Sequence, residues 1–395
     1  MTPSEPTETS DRFSLVAGGP FHALLRGLGW VGEDQVPIRR AAIALALLAW
    51  LLPALLVVAQ SLLDPNYAGW TYFTDLTVYA RDLIAIGMMI ATERFADGRL
   101  TMLVHQFRDA HLVSDEGLPG FRAALAAADR LSSSALAEIV LAAIAMVWSG
   151  ITTGFAVELA TSSWEGSAAG SEVTLSWPGF ATRFVSNPLF LFLVLRWIWR
   201  FLLWSVLLFR ISRMRLQLTP LHPDRSAGLG FLAIYPSIFG GFAFALSCVV
   251  AASFLKDLRH VEHSPQTTWF AIAGWLIFCL ALFLGPLLVF SRQLYLVREK
   301  ALLDYGRLAV EHHHAFQGKW IGRATSGEEL LGNPDVSSTA DLNAGFEVVQ
   351  KMRIVPVDGA AAIRLLIAAG LPMLAVVATE VPLAQLVKWV AGAVF

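Results

Sequence analysis

Two arginines, Arg196 and Arg200, lie inside a stretch from 189 to 209 that otherwise holds only apolar and aromatic residues and one serine. Residues four apart share one face of a helix. At membrane depth an unpartnered charge costs about 3 kcal/mol or more, so these guanidinium groups need carboxylates, carbonyls or water beside them. The stretch therefore predicts a transmembrane helix with a buried polar contact.

The carboxylates that could supply this contact stand in an earlier apolar stretch, from 72 to 92. Asp75 and Asp82 are seven residues apart, which places them on one face of a helix, and Arg81 is next to Asp82. This stretch predicts a second membrane helix that also carries charge.

Depth indicates which of these groups meet. Both stretches are predicted to cross in the same direction, and a helix rises about 1.5 Å per residue. Counted from Tyr72, Asp82 is roughly 15 Å deep, while Arg196 and Arg200, counted from Pro188, are roughly 12 and 18 Å deep. We therefore predict that Asp82 pairs with the two arginines of the later helix.

Two interpretations of this charge cluster stay open. The charges could line a polar pathway for an ion or small anionic solute, as in a channel or secondary transporter. They could instead be a satisfied salt bridge that only fixes helix packing in a membrane scaffold or sensor, with a cytoplasmic segment binding a partner. The cluster comprises Asp75, Arg81, Asp82, Arg196 and Arg200.

Charge balance gives the pathway interpretation a direction. At the deepest level three arginines meet a single carboxylate, Asp82, which favours an anion or a lipid headgroup over a cation. This preference is weak, because Asp75, Glu138 and Glu158 could also turn inward.

A second candidate site is the turn from 219 to 232, which joins two apolar stretches. Its prolines stop the preceding helix, and Asp224 or Ser226 suits the N-cap of the next one. One interpretation is a rigid, well-capped turn on the cytoplasmic side. The alternative is that His222, Asp224 and Arg225 form a gate or a lipid or partner contact.

Composition fixes the class of protein. Hydrophobic residues make up 56% of the chain and charged residues 15%, against roughly a quarter charged in a soluble domain. A net charge of −2 gives no basic face for nucleic acid. Both cysteines, Cys248 and Cys279, fall in apolar stretches, so neither a disulfide nor a zinc site is indicated.

Catalytic and metal motifs give no further candidate. Phosphate-binding loops, dinucleotide fingerprints and hydrolase motifs do not occur in the sequence, so we expect no enzyme and no cofactor. His312 to His314 are consecutive, and on a helix three consecutive side chains point about 100° apart, which is wrong for one metal ion.

Apolar stretches of about twenty residues predict an all-α bundle of six or seven membrane-spanning helices with a cytoplasmic helical extension. A seventh stretch, 359 to 379, is interrupted by Pro372 and could span or re-enter. The six clear stretches are 41 to 63, 72 to 92, 136 to 157, 188 to 209, 228 to 254 and 268 to 291. The predicted parts are a tail with an interfacial helix (1 to 40), a transmembrane domain (41 to 291), a cytoplasmic segment (292 to 358) and a C-terminal segment (359 to 395).

Loop charge predicts orientation. The loops assigned to one side hold 21 Lys and Arg residues and those on the other side hold three. Cytoplasmic loops carry such an excess, so we expect a cytoplasmic N-terminus. We expect the lipid bilayer as a partner, allow for an ion or small anionic solute and for a homo-oligomer, and expect no nucleic acid.

Several passages resemble a group of bacterial multi-pass inner-membrane proteins that have no assigned activity. The resemblance rests on TDLTVYARDLIAIGMMIATERF (74 to 95), LTPLHPDRSAGLGFL (218 to 232), SSTADLNAGFEVVQKMRIVPVD (337 to 358) and LIAAGLPMLAVVATEVPLAQLV (366 to 387). It covers about a quarter of the chain. It implies a bacterial inner-membrane location and supplies no substrate or catalytic residue.

Overall fold

The computed structural model of the chain is built almost entirely of helices. It describes residues 14–15, 18–30, 36–158, 164–169, 172–260, 265–321 and 332–380. The shorter helices are α1 (Gly19–Gly27), α4 (Leu118–Ser132), α9 (Pro334–Gln350), α10 (Gly359–Gly370) and α11 (Met373–Glu380). Two long helices are regular throughout, α2 (Val36–Leu63) and α5 (Ala135–Glu158).

Four long helices are assembled from consecutive helical pieces. Helix α3 comprises Leu76–Val78, a π-helical turn Tyr79–Ala85 and Ile86–Asp109. Helix α6 comprises Trp177–Ala181, a second π-helical turn Thr182–Ser186 and Asn187–Ser212. Helix α7 comprises Gly230–Ile234, Tyr235–Ile238 and Gly240–His260, and α8 comprises Pro265–Leu284, Gly285–Phe290 and Ser291–Trp320. Strands β1 (Gly166–Ala169) and β2 (Glu172–Leu175) form one antiparallel hairpin before α6.

Side chains at the helix starts explain several boundaries. The Asp75 carboxylate accepts a hydrogen bond from the backbone N–H of Thr77, and the Ser176 hydroxyl accepts one from Gly179. Asn333 caps α9 in the same way by accepting from Asp335. Such side-chain acceptors satisfy backbone donors that have no partner in the first helical turn.

Five helical segments in the described ranges are long and apolar enough to cross a membrane, which confirms a multi-pass membrane class. They are Ile38–Leu63, Ala135–Thr153, Trp177–Ser212, Gly230–Leu258 and Gln266–Trp320. Gly359–Gly370 and Met373–Thr379 add a sixth if they are one span, although they are bent by 56°. The break falls at Leu371 and Pro372, where the sequence predicted an interruption. The rest of the predicted C-terminal segment, from 381 to 395, lies outside the described residues.

The predicted span from 72 to 92 differs from this set. It falls in α3, which is helical from 76 to 109, but charges at Arg81, Asp82 and Glu93 keep it below the apolar content of the other five. Most of its inward face is buried, including Ile86, Met89 and Ile90. Helix α3 is thus a charged helix with one face buried in the bundle, while Ile84 and Phe95 are exposed on the other.

Helix α6 lies at the centre of the bundle and contacts α3, α4, α5 and α8. Its large aromatic side chains form the middle of the core: Trp197 stacks on Phe242 with ring centroids 5.4 Å apart, and Trp204 stacks on Tyr235. An indole donor also fixes the position of α6 along α3, because Trp197 Nε1 donates to the carbonyl of Met89 at 3.1 Å. The charged residues of α6 are held by this packing.

Candidate functional site

Four side chains from three helices form a buried group that we call the inner cluster: Glu93, Glu138, Arg196 and Arg200. Arg196 Nη1 lies 2.5 Å from Glu93 Oε1, and Arg196 Nε lies 3.0 Å from Glu138 Oε1. None of the four residues is more than 6% exposed. A buried arginine with two carboxylates at hydrogen-bonding distance is an ion pair that solvent does not screen.

Arg200 completes the inner cluster with poorer geometry. Its Nη1 lies 3.0 Å from Glu93 Oε1, the oxygen that already accepts from Arg196. Neither Nη1 nor Nη2 of Arg200 has a hydrogen-bond partner within the described ranges, although both atoms are buried. The guanidinium carbon lies 5.8 Å from the ring centroid of Trp197. Arg200 therefore retains donors that a further acceptor could use.

The N-terminal helix α1 covers the inner cluster. The backbone N–H of Phe21 donates to Glu138 Oε2 at 2.8 Å, and the Phe21 ring lies 4.8 Å from the Arg196 guanidinium carbon. Gly19 has a φ of 80°, and a Cβ there would lie 2.6 Å from the Glu138 carboxyl carbon. Only glycine fits this position without strain, because the left-handed backbone and the close carboxylate both exclude a side chain.

The chain just before α1 adds a second contact. Ser14 Oγ lies 2.9 and 2.7 Å from the two oxygens of Asp97, and the N–H of Leu15 donates to Asp97 Oδ1 at 3.0 Å. Leu15 is 2% exposed. We call residues 14–15 and 18–27 the N-terminal cover. The sequence predicted an interfacial helix here; a helix is present and packs against Glu138, and its position relative to the membrane stays a prediction.

His22 of α1 also faces the inner cluster. Burial lowers the pKa of its imidazole below the ordinary value, and the nearby positive charges of Arg26 and Arg196 act in the same direction. The neutral imidazole is therefore the favoured form near neutral pH, and His22 adds no positive charge to the cluster.

A second group, the outer cluster, comprises Asp75, Arg81, Asp82, Asn187 and Lys256. Arg81 holds Asp82 through two contacts, Nε to Oδ1 at 2.6 Å and Nη2 to Oδ2 at 3.0 Å, and its Nη1 donates to Asn187 at 2.9 Å. Lys256 Nζ lies 3.0 Å from Asp75 Oδ2. Asp82 is fully buried. Each carboxylate of the outer cluster therefore has its own cation.

Glu165, at the start of the hairpin, lies near the outer cluster. It is 5% exposed, and its Oε2 has no hydrogen-bond partner in the part of the chain that is described. Burial raises its pKa to about 7, although Arg81 and Lys256 oppose the change. The neighbouring Trp164 is buried against Tyr72, with ring centroids 4.9 Å apart, and its Nε1 lies 3.4 Å from Asp75 Oδ2.

The predicted pairing of Asp82 with Arg196 and Arg200 is wrong. Asp82 pairs with its neighbour Arg81, and the two arginines of α6 pair with Glu93 and Glu138. The error comes from the start of α6, which begins at Trp177 and not at Pro188. Eleven further residues add about 16 Å of helix before the arginines, which brings Arg196 to the level of Glu93.

The two clusters stand at separate levels. Asp82 and Glu93 are eleven residues apart on α3, which corresponds to about 16 Å along the helix. Between them α3 contributes buried apolar side chains, including Ile86 and Met89, and α6 contributes Leu193. The predicted cluster is therefore two clusters separated by an apolar layer.

The turn from 219 to 232 is organised by the Asp224 carboxylate. Its Oδ1 accepts from the N–H groups of Ser226 and Gly228 at 2.8 and 3.2 Å, and its Oδ2 accepts from Gly230 at 2.7 Å. These hydrogen bonds lower the pKa of Asp224 despite partial burial. His222 Nδ1 lies 2.9 Å from Asp224 Oδ1. These contacts give Asp224 the role that the rigid-turn interpretation assigns to it.

Arg225 has a different position in the same turn. It adopts a left-handed conformation with a φ of 56°, and its carbonyl accepts from the N–H of Arg353 at 2.7 Å. Ala227 is also left-handed, with a φ of 55°. The backbone of the turn therefore binds the segment after α9 and links the bundle to the C-terminal part of the chain. The alternative role as a gate or lipid contact stays a prediction.

Metal ligation has no candidate in the described ranges, where no three His, Cys, Asp or Glu side chains converge as a metal site. His312 Nε2 lies 3.0 Å from the Thr339 hydroxyl, and His313 Nδ1 lies 2.6 Å from the carbonyl of Ala309. The first contact links α8 to α9, and the second is internal to α8.

Several contributors to the two clusters were not singled out from the sequence. Glu93 and Asp97 lie just beyond the end of the second predicted span, 72 to 92. Lys256 and Glu165 were assigned to loops. The useful signal was spacing, since Glu93 and Asp97 repeat the four-residue interval of the two arginines on α6.

Comparison of the chain with protein-family models, with curated proteins and with solved structures found no match.

Proposed function

We propose that this chain is a membrane scaffold or sensor whose buried charges fix the packing of its helices, and whose segment from 292 to 358 binds a partner on the cytoplasmic side. The observation that carries the proposal is the charge balance of the clusters. In the inner cluster two arginines meet two glutamates, and in the outer cluster Arg81 and Lys256 meet Asp82 and Asp75. Balanced pairs hold helices in one register and leave little net charge to attract an ion.

The apolar layer between the clusters also supports a structural role. A pathway needs polar groups or water at each depth, whereas Ile86, Met89 and Leu193 are buried between the two clusters. Asp82 is fully buried and Arg200 is 4% exposed, so neither faces a water-filled entrance in this conformation.

The partner-binding part of the proposal rests on the two helices α8 and α9. Helix α8 belongs to a 55-residue helical segment that is about 82 Å long, far more than the roughly 30 Å of a bilayer core. Its distal part pairs with α9 through Lys319 Nζ and Asp335 Oδ2 at 2.7 Å. Leu303 and Val310, seven residues apart on one face, are both exposed. We call this exposed face of Leu303 and Val310 the strip, and propose it as the contact surface.

A second copy of the chain is the simplest partner for this strip, and mass measurement in nanodiscs tests it. Leu303→Glu should convert a dimer to a monomer, because a buried carboxylate at the strip has no counter-charge. Asp304→Asn, an exposed position about 100° around the helix from Leu303, is the matched control and should leave the mass unchanged. A wild-type chain that is monomeric at all concentrations would rule out self-association.

A double-mutant cycle on Arg81 and Asp82 tests the structural role of the charges. Asp82→Asn or Arg81→Gln alone strands one buried charge, for which about 3 to 5 kcal/mol of destabilisation is typical. The double variant should recover a large part of this loss, which thermal unfolding in detergent would record. Purified chain in proteoliposomes should show no anion or cation flux that depends on either residue. Flux abolished by Asp82→Asn in a folded variant would overturn the scaffold proposal.

A channel or secondary transporter for an ion or small anionic solute is the second candidate. One observation favours it: the buried Nη1 and Nη2 of Arg200 have no hydrogen-bond partner within the described ranges. A guanidinium whose Nη1 has only an ion-pair contact with Glu93 and whose Nη2 has no hydrogen-bond partner among the described residues is suited to bind an oxyanion. The π-helical turns in α3 and α6 add support, since such turns are frequent at functional sites.

Reconstituted flux across a panel of anions separates the two candidates. The transporter proposal requires uptake of at least one anion that Arg200→Gln reduces about tenfold or more, at unchanged protein incorporation. Arg210→Gln, at the end of the same helix, serves as the matched control. An absence of flux for every ion tested would contradict the transporter proposal and support the scaffold proposal.

Location and orientation follow the charge distribution of the loops. We propose a bacterial inner-membrane protein with a cytoplasmic N-terminus, in which α3 is a membrane crossing despite its charges. This gives six crossings, with α10 and α11 as a seventh span or a re-entrant segment. The positive-inside bias supports the orientation, and cysteine accessibility at Ser133 and Ser167 on intact cells would test it.

A further inference from the structure

Helices α3 and α6 each carry two charges four residues apart, and the helices run in the same direction. Three contacts establish their parallel register: Arg81 to Asn187, Met89 to Trp197, and Glu93 to Arg196. From Arg81 to Glu93 along α3, the partner residues on α6 run from Asn187 to Arg196, so the two helices are parallel. Glu93 and Asp97 therefore face Arg196 and Arg200 as two potential steps of one ladder.

Only the first step of this ladder is fully formed. Glu93 and Arg196 meet at 2.5 Å. Asp97 instead accepts hydrogen bonds from Ser14 Oγ and the N–H of Leu15, while Arg200 has no hydrogen-bond partner for Nη1 or Nη2 among the described residues. Asp97, which could pair with Arg200, is thus held by the N-terminal cover instead.

We propose that Asp97 exchanges between two partners, the N-terminal cover and Arg200, and that the cover is consequently a releasable element over the inner cluster. In the covered state Asp97 binds Ser14 and Leu15. In the released state the Asp97 side chain rotates to pair with the Arg200 guanidinium. The inner cluster then becomes accessible from the end that the cover had occupied.

The two states offer Asp97 comparable interactions. In the covered state it accepts from two donors, the Ser14 hydroxyl and the Leu15 N–H, and in the released state it gains the charged Arg200 guanidinium. Among the described residues the cover makes further contacts: Phe21 donates to Glu138 and packs edge-on against Phe192, the Ser132 hydroxyl lies 3.3 Å from the carbonyl of Ser14, and Leu15 and Leu25 are buried. Release breaks these contacts as well, so the exchange of Asp97 biases the balance between the two states and does not set it alone.

Alkylation of a cysteine at position 15 reports the state of the cover. Leu15 is 2% exposed, so in Leu15→Cys the thiol is protected while the cover is in place and reacts with maleimide after release. Mass spectrometry of the labelled peptide separates it from Cys248 and Cys279. The full chain in nanodiscs is used, and every variant carries Leu15→Cys, so the lost leucine packing is common to all.

Adding Ser14→Asp should raise the labelling rate about tenfold, because two carboxylates repel each other where a hydroxyl donated. Ser14→Thr keeps a hydroxyl donor and is the matched control, with a rate close to that of the parent. Labelling that is equally fast in parent, Ser14→Thr and Ser14→Asp would mean that the cover is not held by Asp97, and would overturn the proposal.

Arg200→Gln gives the decisive result. If Arg200 competes for Asp97, its removal should lower the labelling rate about threefold or more, since the released state loses its stabilising contact. A purely structural arginine would loosen the cover or leave it unchanged, and either outcome overturns the proposal. Glu93 keeps Arg196 as its partner in this variant, and a thermal unfolding curve confirms that the chain is folded.

A second measurement covers the case in which Arg200→Gln unfolds. Asp97→Asn and Arg200→Lys, alone and together, give the coupling between the two positions from unfolding temperatures. The coupling should be small in the parent and larger in the Ser14→Asp background, where the two groups meet. The same coupling in both backgrounds would contradict the exchange.

Discussion

Arg196 Nη1 lies 2.5 Å from Glu93 Oε1, and its Nε lies 3.0 Å from Glu138, so that one guanidinium joins α6 to both α3 and α5. The planar arrangement of guanidinium donors suits two carboxylates at once, which an ammonium group cannot match. The three helices are thereby fixed at one level, which also sets where Arg200 and Asp97 lie.

Loss of the buried Arg196 should destabilise the bundle more than loss of an exposed arginine. Arg196→Met would leave Glu138 buried without its arginine and Glu93 with Arg200 alone, for which about 3 to 5 kcal/mol is typical. Thermal unfolding in detergent, followed by tryptophan fluorescence, measures the effect. Arg307→Gln is the matched control, because its pair with Glu311 is 3.9 Å apart and exposed on both sides; its effect should stay within about 0.5 kcal/mol. Equal losses in the two variants would show that the inner cluster adds no stability.

The Glu165 carboxyl should make stability depend on pH. Its pKa of about 7 lies above the ordinary 4.5, so the folded chain binds this proton more tightly than the unfolded chain. The resulting stabilisation is fully present below about pH 4.5 and is lost as pH rises through about 7. It amounts to at most about 3 kcal/mol, at 1.36 kcal/mol per unit of pKa.

Glu165→Gln tests this dependence, because the amide stays neutral at every pH. Between about pH 5 and about pH 8 its unfolding temperature should fall less than that of the wild type. Glu116→Gln, at an exposed site, is the control and should follow the wild-type curve. A Glu165→Gln curve parallel to that of the wild type would show that Glu165 titrates at its ordinary pKa.

Much of the helical architecture was predictable from apolar periodicity, whereas the polar contacts were not. Apolar runs locate α2, α5, α6, α7 and α8 because a run of about twenty such residues has few alternatives to a membrane helix. Pairing depends on where a helix begins, and α6 begins eleven residues before Pro188, at a serine cap after the hairpin. Asp82 therefore pairs within its own helix with Arg81, a contact between adjacent residues for which helical spacing gives no signal.

The Asp224 carboxylate should determine the order of the turn that it organises. Asp224→Ala leaves three backbone N–H groups without their acceptor and should cost about 1 to 3 kcal/mol, while Asp224→Asn keeps one side-chain oxygen and should cost less. Hydrogen exchange of the peptide from 224 to 232 should accelerate in the same order. Because the folded pKa is lowered, this stabilisation is present above the ordinary aspartate pKa and is lost as pH falls through the folded value. Unchanged exchange in Asp224→Ala would show that the turn is held by other contacts.

The close approach of α7 to α3 should depend on Gly241. A Cβ at this position would lie 2.5 Å from Thr92 Cγ2 and 3.2 Å from Thr92 Cβ, so Gly241→Ala forces the helices apart and should cost about 1 to 3 kcal/mol. Thr92→Ser removes the clashing methyl group and keeps the hydroxyl that donates to Met88, so the double variant should recover most of the loss. Gly274→Ala is the matched control, since a Cβ there meets no atom within 4 Å and alanine favours a helix over glycine by about 1 kcal/mol. Thermal unfolding of the four variants measures each effect, and a Gly241→Ala chain as stable as Gly274→Ala would show that α7 and α3 do not pack this closely.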